Sequence, residues 1–402
     1  MSLSFAAVDH VHMARALRLA ERGLYTTQPN PRVGCVIAHG DEVVGEGWHQ
    51  CAGEPHAEVF ALRAAGGRSR GATAYVTLEP CSHFGRTPPC ADALIAAGVA
   101  RVVAASEDSN PQVAGGGFAR LRAAGVAVET GLMRDAAREL NRGFFARVER
   151  GRPWIRIKLA MSLDGRTALA NGESKWITGA AARADVQRWR ARSSAIFTGI
   201  GTVLADDPRL NVRLERVAPG EPGGGATASE KGTARIADGP ACGASRSHPG
   251  AETARSFVPP LRVILDRALR TPAGARVLVA DAPTLIVHDE RARSVDSRFS
   301  TVELAAVTSD AQGRLDLAEV LRLLAARGMN EVQVEAGPTL CGALLQGGLV
   351  DELLVYVAPV VLGDRARPLL ALAELEAMAS ARRLRIVDRR SIGADERILY
   401  RE

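Results

Sequence analysis

Pro55-His56-Ala57-Glu58 and Glu79-Pro80-Cys81-Ser82-His83-Phe84-Gly85-Arg86-Thr87-Pro88-Pro89-Cys90 are two polar runs on either side of an apolar stretch, Ala72 to Leu78. One imidazole and two thiolates give a tetrahedral zinc three protein ligands and leave the fourth position to water, which is the catalytic arrangement. His56, Cys81 and Cys90 are therefore the candidate metal ligands. Glu58, two residues past His56, is placed to face the water without ligating the metal. The same runs decide the local fold. A helix begins near His56 and runs to Ala65, where Gly66-Gly67 ends it; Ala72–Leu78 is a strand, and Pro89 to Gly98 is a second helix. Both half-sites thus lie at helix starts, whose partial positive charge favours thiolate at Cys81 and Cys90.

Working outward, Asp9 to Arg22 reads as an amphipathic helix with Asp9 as its N-cap. Val33–Ala38 and Glu42–Gly47 flank His39-Gly40-Asp41 as a hairpin. Arg101–Ser106 is another strand, and Met133–Val148 a helix. Alternating strands and helices predict a three-layer α/β domain with a largely parallel sheet. The charged, Gly- and Pro-bearing Glu149-Arg150-Gly151-Arg152-Pro153 marks a boundary, giving domains over 1–149 and 150–402.

The second domain is α/β again. Trp154–Ala160 and Ala195–Gly199 read as strands, Gly179–Arg192 and Leu317–Arg327 as helices, and Glu331–Glu335 as a central strand. Glu352–Ala358 and Arg383–Val387 are further strands, of edge or antiparallel kind. Helices are expected on both faces of the sheet. Residues 218–256 are dense in Gly, Ala, Ser and Pro without a hydrophobic period, and read as a surface or disordered insertion. Cys242 and His248 within it are incidental.

Composition sets limits. The chain has 402 residues, 47% hydrophobic and 24% charged, which is globular and long enough for two or three domains. No apolar run has the length of a membrane span. Asp9, His10 and His12 interrupt the place where a leader peptide needs an apolar core, so a cytoplasmic enzyme is expected. Six scattered cysteines do not make a disulfide scaffold. The net charge of +6 is carried by arginine, with Lys158, Lys175 and Lys231 as lysines. With 4% aromatics and dispersed arginines there is no basic stacking platform for nucleic acid; the arginines suit a phosphorylated small substrate.

A His-x-Glu followed by Pro-Cys and a second cysteine is the layout of zinc nucleobase deaminases, in which zinc acidifies water and the glutamate shuttles protons. Either half alone is bland: His-x-Glu is common on helices, and cysteines are often small core residues. The conjunction is rare by chance. Eight residues separate Cys81 from Cys90, however, where the common signature has two.

That spacing belongs to a resemblance. His49-Gln50-Cys51-Ala52-Gly53-Glu54-Pro55-His56-Ala57-Glu58 together with Pro80–Cys90 resembles the bifunctional deaminase/reductases of riboflavin biosynthesis. The resemblance implies deamination of diaminohydroxyphosphoribosylaminopyrimidine, with zinc on His56, Cys81 and Cys90 and the proton shuttle on Glu58. It implies substrate contacts at Asn30, His49, His83, Arg86 and Asp108. On local chemistry alone, Asn30 is a turn residue, Arg86 a surface charge and Cys51 a packing residue.

In the second half, Gly199-Ile200-Gly201-Thr202 ends a strand but lacks the dinucleotide fingerprint. Val332–Ala343 reads as strand, Gly-Pro turn and helix, whose free N–H groups could take a pyrophosphate. Read alone it is turn chemistry. Lys158–Arg213 and Glu335–Gly363 resemble the reductase half of the same family, a domain similar to dihydrofolate reductase. The implied reaction is hydride transfer from NADPH to ribose C1′, giving a ribityl chain. The implied cofactor contacts are Ala160, Trp176, Thr202, Asp206, Gly337, Pro338, Thr339, Leu340, Cys341, Gly342 and Ala343. The implied substrate contacts are Ser174, Arg190, Leu210, Arg213 and Glu335, with Lys158 polarising the sugar oxygen. Arg190 and Arg213 suit a phosphate because a guanidinium binds it bidentately. Locally, Leu210 reads as packing, Asp206 as a cap, and Ser174 and Trp176 as loop anchors. The family's cofactor-touching position after Asp266 is Arg267 here, which leaves that contact open. A homo-oligomer acting on a small phosphorylated pyrimidine, without nucleic acid or membrane, is expected. The alternatives are a nucleobase or tRNA deaminase with a C-terminal binding module, or a chain with one inactive half.

Overall fold

The structure, a computed structural model, describes residues 5–83, 88–111, 113–216, 234–236, 257–292 and 296–402. Residues up to Gly151, joined by Phe257 and Val258, form one unit, and the described residues from Arg152 onward otherwise form the other.

The first unit runs α1 (Ala7–Glu21), β1 (Gly34–His39), β2 (Glu42–Trp48), α2 (Ala57–Ala65), β3 (Thr73–Val76), α3 (Cys90–Ala96), β4 (Arg101–Ala104), α4 (Gly116–Ala123), β5 (Ala127–Thr130), α5 (Arg134–Leu140) and α6 (Arg142–Arg150). Its five strands lie in the order β2-β1-β3-β4-β5. Strand alternation makes the layers. Cys35 and Ile37 of β1 face a core with Ala57 and Ala61 of α2, Leu94 of α3 and Phe118 of α4. Val36 and Ala38 face Met13, Ala16 and Leu17 of α1 and Ala137 of α5. The domain is thus three-layered, but the sheet is mixed: β3, β4 and β5 are parallel, whereas β1 is antiparallel to β2 and to β3. Gly45 and Gly47 let α2 lie against β2, since a Cβ on either would sit 2.3 Å from a backbone oxygen of Ala61 or Ala57.

Two local readings are corrected. Asp9 is not the N-cap of α1; Ala6 is, and Asp9 Oδ2 accepts the Ala6 amide at 2.9 Å from inside the first turn. The single helix expected over 133–148 breaks at Asn141, whose side-chain amide clamps Arg32 through Arg32 N to Oδ1 and Nδ2 to Arg32 O, each 2.8 Å.

The second unit runs β6 (Trp154–Met161), β7 (Arg166–Ala168), α7 (Ala180–Arg192), β8 (Ala195–Gly199), α8 (Ile200–Asp206), β9 (Leu214–Arg216), β10 (Ala234–Ile236), β11 (Leu261–Leu265), β12 (Thr284–Asp289), β13 (Glu303–Val307), α9 (Leu317–Ala326), β14 (Glu331–Val334), α10 (Pro338–Gln346), β15 (Glu352–Val357), β16 (Arg367–Pro368), β17 (Arg385–Ile392) and β18 (Asp395–Arg401). The main sheet has nine strands in the order β13-β12-β11-β8-β14-β6-β15-β18-β17. It is parallel from β13 to β15, with β18 and β17 added antiparallel. Helices α9 and α10 pack on one face, α7 and α8 on the other. Glu352–Val357, expected as an edge or antiparallel strand, is not an edge: it is parallel to β6 on one side and antiparallel to β18 on the other. Of the expected insertion, only 234–236 is described, and it pairs in parallel with 214–216; the rest lies outside the described residues.

Candidate active sites

In the first unit, α2, α3 and the end of β3 converge. His56 is the N-cap of α2, Cys90 opens α3 and Cys81 follows β3. Their ligating atoms all lie within 4.8 Å of one another. His56 Nδ1 is 3.1 Å from Cys90 Sγ and 3.5 Å from Cys81 Sγ, and the Cys90 amide donates to Cys81 Sγ at 3.3 Å. The hydrogen bond from Cys90 and the neighbouring imidazole hold the Cys81 thiol well below the usual thiol range. A soft S,S,N donor set of this size fits zinc. Glu58, 3% exposed, has an oxygen, Oε2, buried without a hydrogen-bond partner among the described residues. Burial pushes its carboxyl up to about 7, against the pull of His56.

The expected substrate residues fall out differently. Asn30 Nδ2 donates to His49 Nε2 at 3.1 Å, and His49 Nδ1 bonds Pro55 O at 3.2 Å. Burial holds the His49 imidazole down to about 4, so it is neutral, with Nδ1 as the donor. Both of its nitrogens are taken, which revises His49 from a direct substrate ligand to the group that orients Asn30. Asp108 is buried and its carboxyl rises to about 6 through burial, with Glu79 adding and the Asn110 amide opposing; charges at His83 and Cys81 also act on it. Its amide donates to Oε2 of Glu79, two residues before Cys81, at 3.3 Å, which places it beside the metal turn. His83 is exposed, and Arg86 lies outside the described residues. Sequence reasoning missed Arg147 on α6, a partly buried guanidinium lowered by burial with the Asp108 charge opposing; a helix arginine carries no local mark of that proximity.

The second unit holds a cavity of about 1690 Å³ at the C-terminal ends of the parallel strands, lined by Lys158, Ala160, Ser174, Trp176, Arg190, Thr202, Asp206, Leu210, Arg213 and Glu335 among others. Helix α8 starts directly after β8 and α10 just after β14, two adjacent parallel strands, so two helix N-termini open into the crevice where open α/β sheets bind anions. Thr198 Oγ1 donates to Glu335 O at 2.7 Å and Glu335 N to Phe197 O at 2.9 Å, which ties the strand ends together. Gly337, Pro338, Thr339, Leu340 and Ala343 line the cavity, as expected. Cys341 and Gly342 do not. The helical period turns them to the core, where the Cys341 thiol meets Ala336 O and a Cβ at Gly342 would sit 2.0 Å from Ala371 O.

Arg190 is also reassigned. Its Nε and Nη2 reach the two oxygens of Glu335 at 2.7 Å each, and Nη1 reaches Asn211 O at 2.9 Å, so the fork expected to bind phosphate is filled by a carboxylate. Burial works against the Glu335 charge, but Arg190, then Lys158 and Gln333, hold its carboxyl at about 2. Burial lowers the Lys158 ammonium, with Glu335 opposing. Burial and the crowding of Arg190 also lower Arg213, and Arg276 and Arg209 act on it as well. Arg209 and Arg276 line the same cavity and were missed from the sequence, as was Arg270. Arg267, the departure noted above, lines it too.

Comparison with known proteins follows the same division. Residues 153–396 match the RibD C-terminal domain, and residues 7–106 match the cytidine and deoxycytidylate deaminase zinc-binding region. The chain is 48% identical over 388 residues to riboflavin biosynthesis protein RibD of Escherichia coli, covering 96% of this chain and 97% of that one. It is 44% identical over 398 residues to the Haemophilus influenzae protein of the same name, covering 99% and 98%. Among solved structures, RibD of Acinetobacter baumannii (form 1) aligns with TM-score 0.82 and 43% identity over 98% of each chain. A diaminohydroxyphosphoribosylaminopyrimidine deaminase/5-amino-6-(5-phosphoribosylamino)uracil reductase of Thermotoga maritima aligns with TM-score 0.78 and 29% identity over 98% of each.

Proposed function

The chain belongs to the RibD family, the bifunctional deaminase/reductases of riboflavin biosynthesis, and from that premise we propose which of its residues carry each reaction and on what substrates. The domains proposed are 1–149 for deamination and 150–402 for reduction. The first substrate is the diaminopyrimidine ribosylphosphate, and the second is the uracil ribosylphosphate that deamination yields.

In the deaminase, zinc held by His56, Cys81 and Cys90 would acidify a water at its open position. A water oxygen joins the pyrimidine carbon, the C–N bond breaks and ammonia leaves. Glu58 takes the water proton at Oε2 and returns it to the departing nitrogen, a task suited to a buried carboxyl whose pKa is raised. Asn30, oriented by His49, and Asp108 hold the ring. His83 and Arg86 complete the substrate contacts.

In the reductase, NADPH would supply the hydride; as the C1′–H bond forms, the C1′–O4′ bond of the ribose ring breaks and the ring oxygen gains a proton. Lys158 gives a hydrogen bond to the sugar oxygen, and Glu335, fixed by Arg190, holds Lys158 charged and in place. Arg213 takes the phosphate, while Ser174 and Leu210 bound the substrate. Ala160, Trp176, Thr202, Asp206 and the start of α10 hold the cofactor.

The observation that carries this reading is the buried Glu58 carboxyl beside the His56–Cys81–Cys90 cluster, its Oε2 without a hydrogen-bond partner among the described residues. A cytoplasmic location and homo-oligomeric assembly belong to the same proposal. Dependence on NADPH favours the first, and exposed Leu372, Leu375 and Met378 favour the second. The test follows ammonia release and NADPH oxidation in one cuvette. Ammonia first and NADPH loss second supports the reading; ammonia release only from a polynucleotide would replace it.

A further inference from the structure

Glu79 lies three residues past the end of β3, in the segment that leads into the metal turn, two residues before Cys81. Its side chain is buried, 4% exposed, and four backbone amides from one distant segment converge on it. Oε1 accepts Gly117 N at 2.9 Å and Phe118 N at 3.3 Å; Oε2 accepts Gly115 N at 3.0 Å and Asp108 N at 3.3 Å. Three of those donors lie in or just before the first turn of α4, where N–H groups lack partners within the helix and favour an anion. The fourth is the amide of Asp108. The Glu79 amide also donates to Ser106 O at 2.9 Å, so backbone and side chain grip both ends of the turn before Asp108.

Packing leaves this arrangement little play. A Cβ at Gly117 would sit 1.9 Å from Pro80 O, and one at Gly116 would sit 2.7 Å from Ser82 Oγ, so the start of α4 is pressed on the metal turn itself. Asp108 also feels the charges at Cys81 and His83. A carboxylate is the one side chain of this size with two acceptor oxygens and no donor. Glutamine would turn an NH2 toward N–H groups that need an acceptor.

We propose that Glu79 is a positioning residue of the deaminase: its carboxylate gathers the amides of Asp108, Gly115, Gly117 and Phe118 and thereby sets Asp108 beside the metal turn. The inference rests on the reading that Asp108 holds the pyrimidine. Glu79 itself touches neither substrate nor metal in this account, so its loss acts through Asp108.

The test compares Glu79→Gln, Asp108→Asn and the double variant in the full-length enzyme. Zinc content, the KM and kcat of ammonia release, and NADPH oxidation on the deaminated substrate are read for each. Glu79→Gln is expected to keep zinc and the reductase rate, and to raise KM about tenfold while kcat changes less than about threefold. In the Asp108→Asn background it should add less than about twofold, because the two act as one unit. Multiplying effects in the double variant, or an unchanged KM, would overturn the proposal. If Glu79→Gln loses zinc, Glu79→Asp, which keeps the charge on a shorter arm, should show the same coupling to Asp108. Loss of zinc from both would overturn the proposal and make Glu79 a prop of the metal turn alone. Wild-type enzyme that releases no ammonia would remove the deaminase reading, and this inference with it.

Discussion

Arg190 of α7 donates Nε and Nη2 to the two carboxylate oxygens of Glu335 just after β14, at 2.7 Å each. Both side chains are largely buried, and Lys158 lies close enough for its charge to act on Glu335. A buried carboxylate with a bidentate guanidinium stays ionised and stays put. Lysine cannot reproduce that fork. Arg190→Lys should therefore lower kcat/KM of the reductase by roughly 10–100-fold, the loss expected when a buried charge is left half-paired. Ammonia release should be unaffected. Equal loss in both activities would point to general unfolding instead.

With Arg190 engaged, the proposed phosphate contact is Arg213; Arg209 and Arg276 line the same cavity and add to its positive charge, while lowering the Arg213 guanidinium. Arg213→Ala should raise the reductase KM for the phosphorylated substrate about tenfold or more, the cost of a charge-assisted contact. The dephosphorylated analogue should bind wild type and variant alike. Steady-state kinetics on the two substrates decides this; an equal KM rise for both would put the phosphate elsewhere.

Gly342 faces the core, and its close approach to Ala371 O leaves no room for a methyl. Gly342→Ala must shift α10, whose first turn carries Thr339 and Leu340 into the cavity. Overpacking of this kind costs about 1–3 kcal/mol. The NADPH KM should rise while the deaminase constants hold, as measured by kinetics alongside thermal unfolding.

How much of this was legible beforehand depends on the range of the interaction. His56, Cys81, Cys90 and Glu58 sit in short runs whose spacing encodes their chemistry; Cys35 to Ala38, by contrast, is apolar throughout, and only the structure shows which residue faces which layer. Asn141 looked like part of a continuous helix because its partner, Arg32, is far away in sequence. Arg190 read as a phosphate ligand because nothing near it in sequence says that Glu335 fills its fork. The mixed sheet was missed for a similar reason: a hairpin fixes the pairing of β1 with β2, but not that β3 would join β1 antiparallel. Cys341 and Gly342 were swept into a contiguous run, although a helix presents only part of such a run to one side.

An acid-sensitive contact lies on the far face of the first sheet. Asp9 is held down to about 2 by hydrogen bonds from Arg101, against burial, with Tyr75 and the Ala6 amide helping. A folded pKa below the unfolded value of roughly 3.9 stabilises the fold above that pH, and the contribution is lost as the pH falls toward the folded pKa. Asp9→Asn should cost on the order of 2 kcal/mol at neutral pH and flatten the fall in stability below about pH 4. Urea unfolding from pH 7 down to pH 3 measures it; parallel curves for wild type and variant would refute the assignment.

The most direct test of one chain with two separate active sites is Glu58→Gln, with zinc content, ammonia release and NADPH oxidation recorded on the same preparation. Zinc should remain bound. Ammonia release should fall by roughly 10²–10⁴-fold, the usual worth of a general acid–base. NADPH oxidation should run at the wild-type rate when the deaminated substrate is supplied. Ammonia release at the wild-type rate, with zinc in place, would contradict the account.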